Sequence, residues 1–349
     1  MLVSIIAIVV VLSVIVIIHE YGHLMAAKSL GISVPEFSVG MGPRLGVYRG
    51  KDTEYSLRAL PFGGYCRFDD DLEGVDRKGR PLSILGRGPW QKIYVSFAGP
   101  LMNFVLAILL FALLFSVIGV AADYQPVIGE ISEGSPAEAA GLMPGDRIVS
   151  IDGQALSGWS DLSAILREET GQRALDIVID RQGQELTLAL TPRFDAAEGR
   201  ALIGVVADQT KVINARFGLW EGVKMGITQT ITLIGLLIQT IAQMVTGQLS
   251  VAENLSGPVV LVQTISQTAS SGLSNTIFLT AFLSVNLGIM NLLPIPGLDG
   301  GKILLYLIEA LRGKPMDLEK EGWLNLAGYA LLLFLMIALT FKDLAKVFN

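Results

Sequence analysis

The chain has two histidines and one cysteine in 349 residues, and both scarcities constrain its chemistry. One cysteine, Cys66, excludes an internal disulfide framework. With both histidines claimed by a better role, Cys66 is also no thiol nucleophile, and it reads as structural. Charge is sparse as well. Asp, Glu, Lys and Arg make up 17% of residues against 51% hydrophobic, and the mean hydropathy is +0.55. That balance belongs to a multi-spanning membrane protein rather than a soluble domain. A net charge of −6 without any basic block excludes a nucleic-acid partner. The first eighteen residues lack a basic leading region and a small-residue cleavage site, so they are expected to be retained rather than removed as a signal peptide.

Both histidines fall in one pentapeptide, His19-Glu20-Tyr21-Gly22-His23. Residues four apart share a helix face, so His19 and His23 can offer two imidazoles to one ion. Glu20 lies about 100° further round the helix, within reach of a water on that ion. Zinc suits the pair: it takes neutral nitrogen ligands tetrahedrally, and a catalytic site needs a third protein ligand and an open position. Glu20 then serves as general base. Leu2 to Ile18 carries no charge and runs straight into His19, which places this chemistry on a membrane-spanning helix, where ionisable groups are costly and mark function.

Uncharged runs predict four spans, at roughly 2–28, 93–121, 273–297 and 323–342. Asp299, in Pro294-Ile295-Pro296-Gly297-Leu298-Asp299-Gly300, is the outstanding acid for the missing ligand, in the irregular backbone tolerated at membrane depth only around a protein-lined cavity. Asp299 meets the histidines only if both end on one side. A full crossing by 225–249, which is sprinkled with Thr and Gln, breaks that parity, so it is expected to be amphipathic or partly inserted. Lys and Arg concentrate in 24–92 and 300–322, which places both on the cytoplasmic side with the zinc site, and leaves 122–222 outside.

The expected fold is thus a mainly α-helical polytopic membrane protein with two additions. Val34 to Phe68 is rich in Gly and β-formers and reads as a membrane-associated sheet, turning at Gly50-Lys51-Asp52. Its edge could take an extended peptide by strand addition, or it could be an ordinary surface hairpin. Asp69-Asp70-Asp71 opens an exposed loop. From Val127 to about Asp208 the composition turns soluble: a strand at 127–131, a helix capped by Ser135 with Pro136 in its first turn and Gly141 as its stop, a hairpin at Asp152-Gly153, a helix from Trp159 to Glu168 and a hairpin around Arg181-Gln182-Gly183. The boundaries follow: 1–121 as the first half of a membrane core, 122–210 as an inserted α+β domain, 211–272 as a helical amphipathic region and 273–349 as the second half.

The stretch from Ser135 to Gly153, S-P-A-x-x-A-G-L-x-P-G-D-x-I-x-x-I-D-G, resembles a bacterial PDZ domain. The chain as a whole resembles the site-2 protease family of intramembrane zinc metalloproteases, in its PDZ-bearing bacterial branch. H-E-x-x-H is followed in family order by F-S-V-G-M-G-P (Phe37 to Pro43), L-P-F-G-G-Y (Leu60 to Tyr65), F-A-G-P-L-M-N-F (Phe97 to Phe104) and N-L-L-P-I-P-G-L-D-G-G (Asn291 to Gly301).

The resemblance implies that His19, His23 and Asp299 bind Zn2+ and that Glu20 is the base. It implies that Asn291 helps hold the substrate backbone or the developing oxyanion, and that Asn103 either faces the site as a substrate-binding residue or packs the metal helix. It implies hydrolysis of peptide bonds in or near the transmembrane segment of single-span proteins already cut once by another protease, such as anti-sigma factors and remnant signal peptides, in a bacterial inner membrane. The PDZ domain, outside, would filter substrates by size or bind peptide C-termini, with its groove starting near Val127-Ile128-Gly129. A membrane-anchored PDZ scaffold with a structural metal is the alternative, but it needs a fourth Cys or His ligand. A metal transporter needs acids along a path, and Glu20 and Asp299 are nearly the only intramembrane ones.

Overall fold

A computed structural model describes residues 2–348, apart from 69–73, 76–78, 170, 172, 196–198 and 251–254. The acidic run Asp69-Asp70-Asp71 lies outside the described residues. The chain divides into two compact units, Met1–Val117 with Gly218–Asn349, and Ile118–Phe217. In chain order the elements are α1 (Leu2–Leu30), β1 (Glu36–Arg49), β2 (Glu54–Arg67) and α2 (Pro89–Leu113). The second unit holds β3 (Val120–Tyr124), β4 (Ile128–Ile131), α3 (Pro136–Ala139), β5 (Arg147–Ile151), β6 (Gln154–Ala155), α4 (Trp159–Glu168), β7 (Leu175–Arg181), β8 (Gln184–Leu190), β9 (Arg193–Asp195), β10 (Arg200–Leu202), β11 (Val205–Ala207) and β12 (Val212–Ala215). The first unit resumes with α5 (Leu219–Val245), α6 (Pro258–Ser270), α7 (Leu273–Leu292), α8 (Asp299–Arg312) and α9 (Leu318–Phe348).

Among the described residues, five helices are long and apolar enough to cross a membrane: Ser4–Leu30, Pro89–Ile118, Leu219–Val245, Leu273–Leu292 and Leu318–Lys346. One of them, α5, covers most of the stretch 225–249 expected to be amphipathic or partly inserted, and its length and apolar character suffice for a crossing. Its early glycines seat it on α2: a Cβ at Gly222 would meet Ser116 and Ala112, and one at Gly226 would meet Ile108 and Ala112. As α5 advances, α2 recedes, so the two run antiparallel. Helix α7 is antiparallel to α2 too, with Phe278 on Phe111, Ser284 donating to the Asn103 carbonyl, and Gly288 against Phe104.

Two helices with the same direction need a return between them. Helix α6, of 13 residues, begins after that return: its start at Gly257 lies against Leu339 and Asp343, far along α9 from Asn325 beside the Asp299 loop. Its Ile265 packs on Val11 and Ile15 of α1. Its N-terminus is held by Asp343, near the end of α9, whose carboxylate accepts from the Gly257 and Val260 amides at 3.2 and 3.1 Å. Parity counts only full crossings; with the chain already back at Gly257, α7 ends with Asp299 on the histidine side.

The two β segments build one sheet by doubling back. Residues 36–39 pair in parallel with 54–57 (Phe37↔Tyr55, Ser38↔Ser56) and antiparallel with 64–67 (Phe37↔Cys66, Ser38↔Tyr65), while Tyr48↔Tyr55 and Arg49↔Glu54 close a hairpin. Residues 64–67 thereby form an edge. Glu36, 2% exposed, anchors the sheet. Burial pushes its carboxyl up, but hydrogen bonds from Ser56, Arg58, Tyr65 and Arg44 outweigh that and hold it at about 2.

In the second unit β6-β5-β7-β8 form an antiparallel sheet. Both tight hairpins use left-handed residues, Asp152 and Gly153 at φ 50° and 82°, Gln182 and Gly183 at 56° and 87°. Ser135 caps α3 by accepting from the Glu138 amide. Ile148, Leu175, Ile177 and Ile179 are fully buried, each stabilising the unit by roughly 1.5–3 kcal/mol. The unit runs to Phe217 rather than ending at 210, because Val212–Ala215 pairs with Val120–Tyr124. The expected groove at Val127-Ile128-Gly129 is also corrected. Ile128 is 1% exposed, and the strand is bonded on both sides, to β11 and to Gly145-Asp146. A cavity of about 280 Å³ in this unit lies instead between α4 (Trp159, Leu162, Leu166) and residues 200–205.

A cysteine placed at Ser256, which is exposed beside Gly257, should be labelled by an impermeant reagent from the extracytoplasmic face. Labelling only from the cytoplasmic face would overturn the placement of Gly257 on the side where α7 begins.

Candidate metal centre

The centre starts with the approach of α1 to α2. A Cβ at Gly22 would lie 2.3 Å from the Ala98 carbonyl oxygen, and one at Gly99 would lie 2.4 Å from His23 Nε2 and 2.9 Å from His19 Cε1. Only hydrogen fits at either position, so the imidazoles lie directly on the α2 backbone. His19 and His23 are 6% and 8% exposed, with their rings in edge contact at 4.9 Å.

Asp299 arrives from the other half of the unit. Pro294 and Pro296 cannot continue α7, which stops at Leu292. Gly297 turns at φ +91°, and Gly300 and Gly301 sit where a Cβ would be 2.2 Å from the carbonyl oxygens of Leu292 and Ile295. Helix α9 covers this loop: the Gly297 amide donates to Asn325, and Gly328 lies against Pro296.

The result is a small triangle. Asp299 Oδ2 is 3.1 Å from His19 Nε2 and 3.4 Å from His23 Nε2, and the two nitrogens are 3.3 Å apart. Ligands about 2.0–2.1 Å from a tetrahedral ion lie about 3.3 Å from one another, so the triangle has the size of one face of a zinc tetrahedron. His23 Nδ1 donates to the Val95 carbonyl at 2.8 Å, which leaves the Nε2 lone pair for a cation. His19 Nδ1 is 3.2 Å from the Asn103 side-chain amide nitrogen, while Asn103 Oδ1 is buried without a partner. Turning that amide by 180° gives Oδ1 the His19 Nδ1–H and again frees Nε2. Without a cation, two lone pairs and a carboxylate oxygen would converge with nothing between them, so these donors fit a divalent metal. Among the described residues no fourth Cys, His, Asp or Glu joins the group, which leaves the site open in the catalytic manner.

Around the triangle is a cavity of about 580 Å³, lined by Glu20, Tyr65, Cys66, Asn291, Lys302 and Glu321 among others. Glu20 reaches the sheet edge, where its Oε2 accepts from the Cys66 main-chain N–H at 3.0 Å. Asn291 lines the cavity with its amide nitrogen 3.5 Å from His19 Nε2. Asn103 does not line it. At 0% exposure, behind the His19 ring, it cannot bind substrate, and that expectation is corrected: its position is that of a support for His19. Burial pushes the Cys66 thiol up to about 12, with the Glu20 carboxylate beside it adding to the effect, so it is inert as a nucleophile. Sequence reasoning did not single out Gly99, the Val95 carbonyl or the Cys66 amide. Of these only Gly99 carries a signal, in the small-residue run Ala98-Gly99 opposite Gly22.

A family model described as peptidase family M50 matches residues 7–335. The Bacillus subtilis protein named regulator of sigma-W protease RasP is 30% identical, with 99% of each chain covered. The Oceanobacillus iheyensis protein named zinc metalloprotease RasP is 32% identical, again over 99% of each. Among solved structures, the PDZ domain of an SdrC-like protein from Listeria monocytogenes is 20% identical and covers 26% of this chain and 96% of its own, with a TM-score of 0.23.

Replacing Asn103 by Leu leaves His19 Nδ1 without its partner. Metal affinity, measured by competition with a chelator, should fall about 10–100-fold while the protein still purifies folded. Unchanged affinity would remove Asn103 from the support of the centre.

Proposed function

The chain belongs to peptidase family M50 and is a zinc metallopeptidase, and we propose that it hydrolyses peptide bonds within or near the transmembrane segments of membrane-anchored proteins. One observation carries this reading: three ligand atoms spaced as a tetrahedron face, beside Glu20, at the end of a helix apolar enough to cross a bilayer. His19 and His23 through Nε2 and Asp299 through Oδ2 would hold the zinc. Bound there, zinc would supply Lewis acidity, lowering the pKa of water and polarising the scissile carbonyl.

The protein residues do the rest. Glu20 takes the proton of the attacking water and passes it to the leaving amide nitrogen. Asn291, with its amide on the cavity wall, donates to the substrate backbone or to the oxygen on which charge develops. Asn103 and the Val95 carbonyl fix the two ring orientations. A substrate helix hides its own amides and carbonyls, so it must unwind before cleavage. The 64–67 edge lies beside Glu20 and can take the unwound segment as an added strand.

The natural substrates on this reading are single-span proteins left by a first cut, of the anti-sigma-factor or remnant-signal-peptide kind, in a bacterial inner membrane. The metal lies towards the cytoplasmic side, with Ile118–Phe217 outside as a PDZ domain. The cavity between α4 and residues 200–205 would take a peptide C-terminus.

Cleavage of a single-span substrate in detergent, with zinc assayed in parallel, tests the assignment. Glu20→Gln should cut about 10²–10⁴-fold more slowly, the scale of a general base's contribution, with zinc retained. Asp299→Asn should lose zinc and activity together. Cleavage by Glu20→Gln at the wild-type rate would contradict the role given to Glu20.

A further inference from the structure

The Glu20 carboxylate and the edge of the sheet are engaged with each other. In a strand the N–H and C=O of one residue point to the same side, and the side alternates along the chain. The Cys66 N–H points at Glu20, so the outward groups of this edge are those of Cys66 and Gly64, while Tyr65 and Arg67 bond inward to 36–39. Gly64 is close as well: a Cβ there would lie 3.7 Å from Glu20 Cγ. An extended segment added to this edge needs the Cys66 N–H as a donor, and Glu20 holds that donor.

We propose that the main-chain amide of Cys66 is a latch on Glu20, which an extended substrate segment opens by taking the amide for its own carbonyl. This inference rests on the edge-strand reading of substrate binding. With the edge empty, Glu20 is tied to the strand through Oε2. With a strand added, its carboxylate is free to turn fully to the attacking water, so base and substrate arrive together. A membrane cavity open to water then holds its base idle until an unwound segment is seated. Cys66 is in this scheme a positioning residue, through its amide and not its thiol. One hydrogen bond is exchanged for another, so selectivity comes from geometry: a helical segment, its carbonyls already bonded internally, cannot open the latch.

The test uses the full-length zinc-loaded protein in detergent and a dye-labelled single-span peptide with a helix-breaking centre. Glu20→Gln keeps an oxygen acceptor for the Cys66 amide; Glu20→Ala removes it; neither cuts. The latch predicts that the Ala variant binds the peptide about tenfold more tightly than the Gln variant. Adding Cys66→Pro to both, at an edge position where the missing N–H breaks no inward ladder bond, should abolish that difference. A difference that persists there comes from side-chain volume and overturns the latch.

Hydrogen exchange at the Cys66 amide gives an independent reading should the proline variants fail to fold. The amide should exchange slowly in Glu20→Gln alone, quickly in Glu20→Ala alone, and slowly in both with peptide. Equal affinities with peptide-dependent protection of Gly64 and Cys66 would overturn the latch and leave the edge-strand reading standing. Peptide binding with no protection of Cys66 in Glu20→Ala would overturn both.

Discussion

The contact between α1 and α2 at Gly22 and Gly99 is the constraint on which the centre depends. Inside a bilayer, apolar side chains gain nothing by leaving lipid, so helices associate where small residues let backbones touch. Here neither glycine has room for a methyl group. The same approach that packs the helices brings the Val95 carbonyl to one imidazole and the Asn103 amide to the other. Packing and ligand orientation are thus one interaction. A side chain added at Gly99 would push the helices apart and turn both rings at once.

The second half of the centre is built on the opposite principle, a break in regular structure. Two prolines end α7, and three glycines let the loop fold tightly enough for Asp299 to start the next helix facing the histidines. Such irregular backbone survives at membrane depth because it lines a cavity and is covered by α9. The rigid pair of helices and the folded loop come from sequence positions 280 residues apart (299 − 19).

The parts legible in the sequence were those with local or periodic signals. His19, Glu20 and His23 stand at fixed helical spacing, Asp299 is the lone acid in a Pro/Gly break, and the caps and hairpins of the second unit follow from Ser135, Pro136, Gly153 and Gly183. What escaped depends on direction across elements. The helical position of Asn103 says nothing of which side of His19 it touches. Parity alone does not show that the chain is back beside the end of α9 by Gly257, before α6 begins. The second unit closes four strand residues later than its composition suggested, because β12 pairs with a strand almost ninety positions earlier (212 − 124). The Cys66 amide is a main-chain group, and no residue type announces it.

X-ray absorption at the zinc edge of the purified full-length protein tests the central claim most directly. The account predicts a light-atom shell at about 2.0–2.1 Å with the multiple scattering of two imidazoles. A sulfur shell at about 2.3 Å, or the scattering of fewer than two imidazoles, would contradict a centre made of His19, His23 and Asp299.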